Sequence, residues 1–211
     1  MRTLARRAGD QCLWILFSPF STTVYYTIQM NIILYFFLLI LELFILIGVS
    51  IYGIGLLYSA FKGAPYVPTS KKQLTNIFKN IQFKEGAQFV ELGSGDGRLV
   101  RYAAKEFGVK GIGVEINPVL VWWSRFLAKR EHISETVSFI KKHALDYSLV
   151  DANYLYVFLM PEILEKLLPK FKRELRKGTI IISHGFKIIG FEKQLIHTEP
   201  DKSFSTYYYK V

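Results

Sequence analysis

Hydrophobic and polar positions follow two regimes along the chain. From Ile32 to Tyr58 nearly every residue is apolar, and Glu42 is the one charge. Such a run shows neither the period of a strand nor that of a surface helix. Wound as a helix it measures ~40 Å, enough to cross a hydrocarbon core of ~30 Å with tilt or overhang. It predicts one transmembrane anchor. The alternative is a buried core helix, but so short a chain offers few partners to hide a helix apolar all round. From Lys71 onward short apolar runs alternate with amphipathic stretches. Helices are predicted over Lys71–Ile81, Leu99–Phe107, Asn117–Arg130 and Pro161–Leu175. Strands are predicted over Ala87–Leu92, Gly111–Glu115, Val137–Ile140, Tyr154–Leu159 and Thr179–Ser183. Gln194–His197 and Phe204–Tyr209 read as a closing antiparallel pair around Glu199-Pro-Asp201. Alternating strands and helices imply an α/β domain, a parallel sheet with helices on both faces. The expected organisation is an N-terminal, weakly apolar segment (1–31), a transmembrane helix (32–60), a linker (61–70) and the α/β domain (71–211).

Punctuation supports these boundaries. Two prolines in Gly63-Ala-Pro-Tyr-Val-Pro-Thr-Ser70 break any helix, and Thr69 or Ser70 can cap the next one. Asn117-Pro118 is a helix start, with proline in the first turn.

The net charge is +10, and all but one of those charges falls from Lys62 onward. A basic domain suits an anionic surface without choosing among membrane, nucleic acid and acidic protein. Lys62, Lys71, Lys72 and Lys79 place the domain on the cytoplasmic side of a single-pass protein. Arg2, Arg6 and Arg7 argue for the same side at the other end. Two resolutions stand: residues 11–29 form a second, weaker pass, or Met30 is the true start. The single cysteine, Cys12, rules out an internal disulfide and any cysteine-based metal cluster. No His/Cys/carboxylate set has metal-ligand spacing.

The chemistry concentrates in Glu91-Leu-Gly-Ser-Gly-Asp-Gly-Arg98, set between a strand and a helix. Gly93, Gly95 and Gly97 let the backbone approach a ligand with no Cβ in the way. The spacing is neither G-x-G-x-x-G nor a P-loop ending G-K-[ST]. It is E-x-G-x-G-x-G, the first motif of Rossmann-like S-adenosylmethionine-dependent methyltransferases. Glu115, at the end of the next strand, stands where an acid accepts from ribose hydroxyls. Glu91 ends its own strand facing the ligand's ammonium.

Five segments carry a more specific resemblance: Pro65-Tyr-Val-Pro-Thr, the glycine loop, Gly113-Val-Glu-Ile-Asn-Pro, Val157-Phe-Leu-Met-Pro and Ile182-Ser-His-Gly-Phe. In order and spacing the chain resembles the membrane-anchored protein-lysine methyltransferases that modify the ATP synthase c subunit and the adenine nucleotide translocase, and it is identified as a prokaryotic relative of them. The resemblance implies a seven-strand methyltransferase sheet, S-adenosyl-L-methionine as cofactor, and a lysine of a membrane protein as substrate, with the bilayer as partner and no nucleic acid expected. It implies cofactor contacts from Glu91, Gly93, Ser94, Gly95, Asp96, Gly97, Glu115, Ile116 and Asn117. Two departures stand out. Glu91 replaces the Asp of many members, and His143 occupies the position of the usual acid near the adenine. That role passes to Asp146, to a backbone amide or to no residue.

Methyl transfer from a sulfonium is an in-line displacement, so the protein supplies alignment and exclusion of water. The lysine must be neutral, and an apolar channel disfavours its ammonium without a dedicated base. Tyr66, Phe158, Met160 and Pro161 are candidates to form that channel. Tyr66 serves equally well as packing for the linker. His184 either lines the pocket and accepts a proton or is a satisfied structural histidine. Trp122-Trp123 and Tyr207-Tyr-Tyr209 read as residues that pack the core or a face and do not bind bases; Lys166 to Lys177 reads as a solvated helix face or, next to a membrane anchor, as a surface resting on anionic lipid. Two other functions remain open at this level: methylation of a small or lipid-like molecule, and a non-catalytic cofactor-binding membrane scaffold.

Overall fold

The computed structural model describes residues 19–61 and 71–211, and the chain divides into two units, Met1–Ile51 and Tyr52–Val211. The first unit contributes most of helix α1 (Pro19–Phe61), 43 residues long. Within its stretch Tyr25–Gly55 an 18-residue window has mean hydropathy 2.9 and none of that window is buried, so the stretch is long and apolar enough to cross a membrane. The helix starts well before Ile32 because its polar residues are accommodated locally. Gln29 Nε2 donates to Tyr25 Oη (3.0 Å), and Ser50 Oγ donates to Leu46 O (2.8 Å). Residues 19–29 are therefore the first turns of this helix and not a separate pass.

The second unit holds α2 (Lys71–Phe78) and an alternating series: β1 (Gln88–Leu92), α3 (Arg98–Phe107), β2 (Lys110–Glu115), α4 (Pro118–Arg130), β3 (Val137–Lys141), β4 (Tyr154–Val157), α5 (Pro161–Glu174), β5 (Ile180–His184), β6 (Leu195–Glu199) and β7 (Thr206–Lys210). The seven strands form one sheet in the order β3-β2-β1-β4-β5-β7-β6. The first five strands pair in parallel. β7 runs antiparallel between β5 and β6, with a register shift between Leu195 and His197. The chain leaves β1 toward β2 on one side and later returns on the other side as β4. That reversal opens a crevice beyond the carboxyl ends of β1 and β4, where open α/β sheets bind ligands.

Each sheet face has its own core. Phe89, with Phe78, Val100, Phe139 and Tyr154, packs one face; Leu92, with Leu155, Leu164, Phe171 and Ile181, packs the other. Phe78 meets Phe83, Phe89 and Phe107 edge-on at 5.3–5.8 Å between centroids. Truncating such a ring to alanine costs roughly 3–5 kcal/mol. Both cores hold β1 rigid up to the residue where the glycine loop begins.

Candidate active site

The loop after β1 is pinned to its neighbours by backbone bonds. Gly93 N and Ser94 N both donate to Val114 O (2.8 and 3.1 Å), and Gly97 N donates to Ser94 O (2.8 Å). Ser124 Oγ, on the buried face of α4, donates to Gly95 O (3.1 Å), and Arg101 Nη1 donates to Asp96 O (2.5 Å). Gly97 has φ of 69°, and a Cβ there would enter the Phe139 ring. Glu91 is paired in register with Gly113 of β2. A Cβ on Gly113 would lie 2.7 Å from Ser94 Oγ and 2.5 Å from Phe139. Glycine is thus required at both places for the loop to fold back over the strand ends.

Three carboxylates surround this loop. Glu91 and Glu115 are buried, and Asp96 nearly so. Glu115 ties the loop together: Oε2 accepts from Gly95 N (2.9 Å) and Oε1 from Asn117 N (2.8 Å). Burial raises its pKa, against the pull of the backbone amides of Asn117, Gly95 and Ile116. A carboxylate has roughly four lone-pair sites, so these amides leave capacity for a ligand. Burial pushes Asp96 up too, but its bidentate pairing with Arg98 holds it below the ordinary carboxylate range. Glu91 is the outlier. Burial, then the charges of Asp96 and Glu115, raise its pKa well above the usual value, and the Val100 backbone amide and Arg101 offset only part. Glu91 Oε2 and Ser94 Oγ are buried with no hydrogen-bond partner among the described residues. Orphaned buried polar atoms are costly, so a site carrying two of them is fitted to a group that satisfies them. A buried acid short of a cation matches the amino-acid ammonium of an adenosyl-methionine ligand, and an acid at the end of β2 matches its ribose.

Beyond β4 and β5 the surface is aromatic. His184 ends β5, is 4% exposed and shares a hydrogen bond between Nδ1 and Thr206 Oγ1 (2.9 Å). Burial lowers its pKa to about 4, against the weaker opposing effect of Asp201, so the imidazole is neutral at physiological pH. Phe158 stands edge-on to His184 at 4.8 Å and to Phe204 at 5.2 Å. Tyr156 stacks on His184 at 6.5 Å, and β4 places Tyr156 in register with Glu91.

Glu91, Ser94 to Gly97, Glu115 and Asn117 are therefore gathered at one crevice. Asn117 caps α4 by accepting from Val119 N (3.0 Å). Ile116 follows Glu115 and is half-buried. On the far side of β2, His143 is half-buried and its Nδ1 accepts from Leu145 N (3.2 Å), whereas Asp146 is exposed. Phe158 and His184 meet, while Met160 and Pro161 are exposed at the start of α5. Tyr66 and linker residues 62–70 lie outside the described residues. Sequence reasoning missed Ser124, Phe204 and Thr206. Ser124 was detectable as a small polar residue at helical spacing from Leu120 and Ala128; Phe204 and Thr206 carried no signal short of the β5–β7 register. Of the two packing options for Trp122 and Trp123, the core is excluded: they are 63% and 41% exposed, because the buried side of α4 is filled by Leu120, Val121, Ser124 and Ala128. Lys170, inside a basic run expected to be solvated, is buried against Glu174 at 3.0 Å.

A seven-strand sheet of this order, with an acid-bounded glycine loop at its switch point, defines a Rossmann-like S-adenosylmethionine-dependent methyltransferase. The crystal structure of an RNA methyltransferase from Salinibacter ruber, in complex with S-adenosyl-L-homocysteine, aligns with a TM-score of 0.65 and 29% identity, covering 69% of this chain and 94% of that one. Residues 91–194 match the ANTKMT methyltransferase domain. A protein-lysine N-methyltransferase of Saccharolobus islandicus is 32% identical over 146 residues, 68% of this chain and 91% of that protein. The ATP synthase c-subunit lysine N-methyltransferase of Rattus norvegicus is 34% identical over 122 residues, 58% of this chain. The alignment spans little more than half of that rat protein, 56% of its length. The chain belongs to this family of S-adenosylmethionine-dependent protein-lysine methyltransferases.

Proposed function

We propose that this protein is a membrane-tethered methyltransferase that N-methylates a lysine of a membrane protein, with its catalytic domain on the cytoplasmic side. The observation that carries the reading is the aromatic cluster of Phe158, Phe204 and neutral His184 beside the acidic donor crevice, in a chain that also bears an unburied apolar helix. Tethering raises the effective concentration of any substrate in the same bilayer.

The residue roles follow. Glu91 pairs with the donor's ammonium, Glu115 accepts from the ribose hydroxyls, and Gly93 to Gly97, with Ser94 and Asp96, line the methionine and ribose. Ile116, Asn117 and His143 flank the adenine side, with Asp146 at its edge. S-adenosyl-L-methionine, when bound, supplies a methyl group on a sulfonium. Phe158, Phe204 and Tyr66, with Met160 and Pro161 at the rim, hold the lysine stem and disfavour its charged form. The departing ammonium proton goes to solvent. The lysine nitrogen then takes the methyl as the carbon–sulfur bond breaks, leaving methyl-lysine and S-adenosylhomocysteine. His184 shapes the pocket as a neutral ring.

The test incubates the full chain with methyl-labelled donor and membranes from its source. Label on a lysine Nζ of a membrane polypeptide, absent with Glu115→Ala, is expected. Label in the lipid extract would shift the reading to a lipid-like substrate, and label in RNA to the chemistry named for the Salinibacter neighbour. Donor binding with no label anywhere would leave a scaffold. Protease digestion of sealed vesicles of known orientation checks the side.

A further inference from the structure

Helix α4 carries a face that the methyl-transfer chemistry does not use. Opposite its buried side, Trp122, Trp123 and Phe126 are 63%, 41% and 45% exposed. They form one patch: the Phe126 ring stacks on Trp122 at 6.0 Å and on Trp123 at 5.4 Å. Arg125, Lys129 and Arg130 are exposed on the same helix, which contains no acid. Arg125 is tied to β3, its Nε and Nη2 donating to Phe139 O at 3.0 and 2.6 Å. Exposed Lys141 ends that strand, and exposed Lys142 follows it. The next acid, Glu131, is already engaged by Arg101 (3.1 Å) and Lys105 (2.8 Å). A water-facing helix ordinarily intersperses Glu with Lys. Exposed indoles with cations and no acids are instead the composition of a helix lying in a membrane interface.

We propose that the Trp122–Trp123–Phe126 face of α4 rests in the headgroup layer of the membrane that α1 enters, and that Arg125, Lys129, Arg130, Lys141 and Lys142 select anionic phospholipid there. This rests on the membrane-tethered reading. Charge complementarity chooses lipid over protein: the face offers several cations and no acid with which to pair a mixed-charge protein surface. α4 begins three residues after Glu115, so this contact holds the carboxyl end of the sheet, where donor and substrate meet, close to the bilayer.

The test places the full chain carrying Trp14→Phe, which leaves Trp122 and Trp123 as the indoles, in vesicles of phosphatidylcholine with or without phosphatidylglycerol. The vesicles contain phosphatidylcholine brominated near the headgroup end of the acyl chain. Flotation reports on α1; indole emission reports on α4. The inference expects flotation in both lipids, with emission blue-shifted and strongly quenched only with phosphatidylglycerol. The quenching is lost at high salt and in Lys129→Glu/Arg130→Glu. Flotation with unquenched, water-like emission would overturn the α4 contact and leave the tether standing. Equal quenching in both lipids would overturn the anionic selection. Failure to float would overturn the tether and this inference together.

Discussion

Replacing Glu115 by Gln changes one atom and removes the group on which the loop is strung. The carboxylate now accepts Gly95 N–H at 2.9 Å and Asn117 N–H at 2.8 Å from a buried position. The amide can accept one of these and turns an NH₂ toward the other. One charge-assisted bond is lost, worth ~1.5–3 kcal/mol, and one backbone donor is left unsatisfied at ~1–3 kcal/mol. Neutralisation returns some of this, because burial already penalises the charged form of Glu115. We expect a net cost of about 2 kcal/mol to the ligand-free protein. Bound donor loses two ribose contacts as well, so affinity for S-adenosylhomocysteine should fall by roughly 10²–10³, about 3–4 kcal/mol. Isothermal titration of wild type, Glu115→Gln and Glu115→Ala, with circular dichroism to verify folding, measures this directly. A folded Gln or Ala variant that binds within about threefold of wild type (well under 1 kcal/mol) would refute the assignment of Glu115 to the ribose.

Three further outcomes follow. Glu91→Gln should weaken ligand binding yet raise the melting temperature of the ligand-free protein at neutral pH. The folded-state pKa of Glu91 lies above its unfolded value, so its carboxyl favours folding below about pH 4.5 and costs stability as pH rises through the folded pKa; equal melting temperatures at pH 7 would contradict this. His184 behaves oppositely at acid pH. Its pKa falls from 6.5 to about 4, so the unfolded chain binds the proton first and stability declines as pH drops through that window, by up to ~3 kcal/mol. His184→Gln should flatten the melting-temperature profile between those limits while leaving the alkaline limb of the methylation rate unchanged. Gly97→Ala combines a left-handed backbone with intrusion into the Phe139 ring, together ~2–4 kcal/mol; thermal unfolding within ~0.5 kcal/mol of wild type would contradict that geometry.

The sheet was legible because its strands are short apolar runs bounded by glycine, proline and asparagine, and because a strand–glycine–helix junction has few alternative folds. Glu91 and Glu115 were legible for the same reason, each lying at the carboxyl end of a strand aimed at the crevice. Contacts between elements distant in sequence were not. His184 meets Thr206 through the antiparallel β5–β7 register, across 22 residues, and Phe204 enters the aromatic cluster by the same route. The exposed face of α4 was hidden because apolar residues lie on every side of that helix, so periodicity does not select which side faces the sheet. The start of α1 was misplaced because Ser, Thr, Gln and Asn between residues 21 and 31 dilute its hydropathy, although an apolar helix can satisfy such groups within its own turns.

The account rests on a donor whose ammonium meets Glu91 and whose ribose meets Glu115. Calorimetric titration of the full chain with S-adenosylhomocysteine in two buffers of different ionisation enthalpy tests it most directly. At about pH 5, below the raised folded-state pKa of Glu91, the account predicts one ligand per chain, with a heat that differs between the buffers because the bound cation drives a proton off that carboxyl. No heat from folded protein, or the same heat in both buffers, would contradict it.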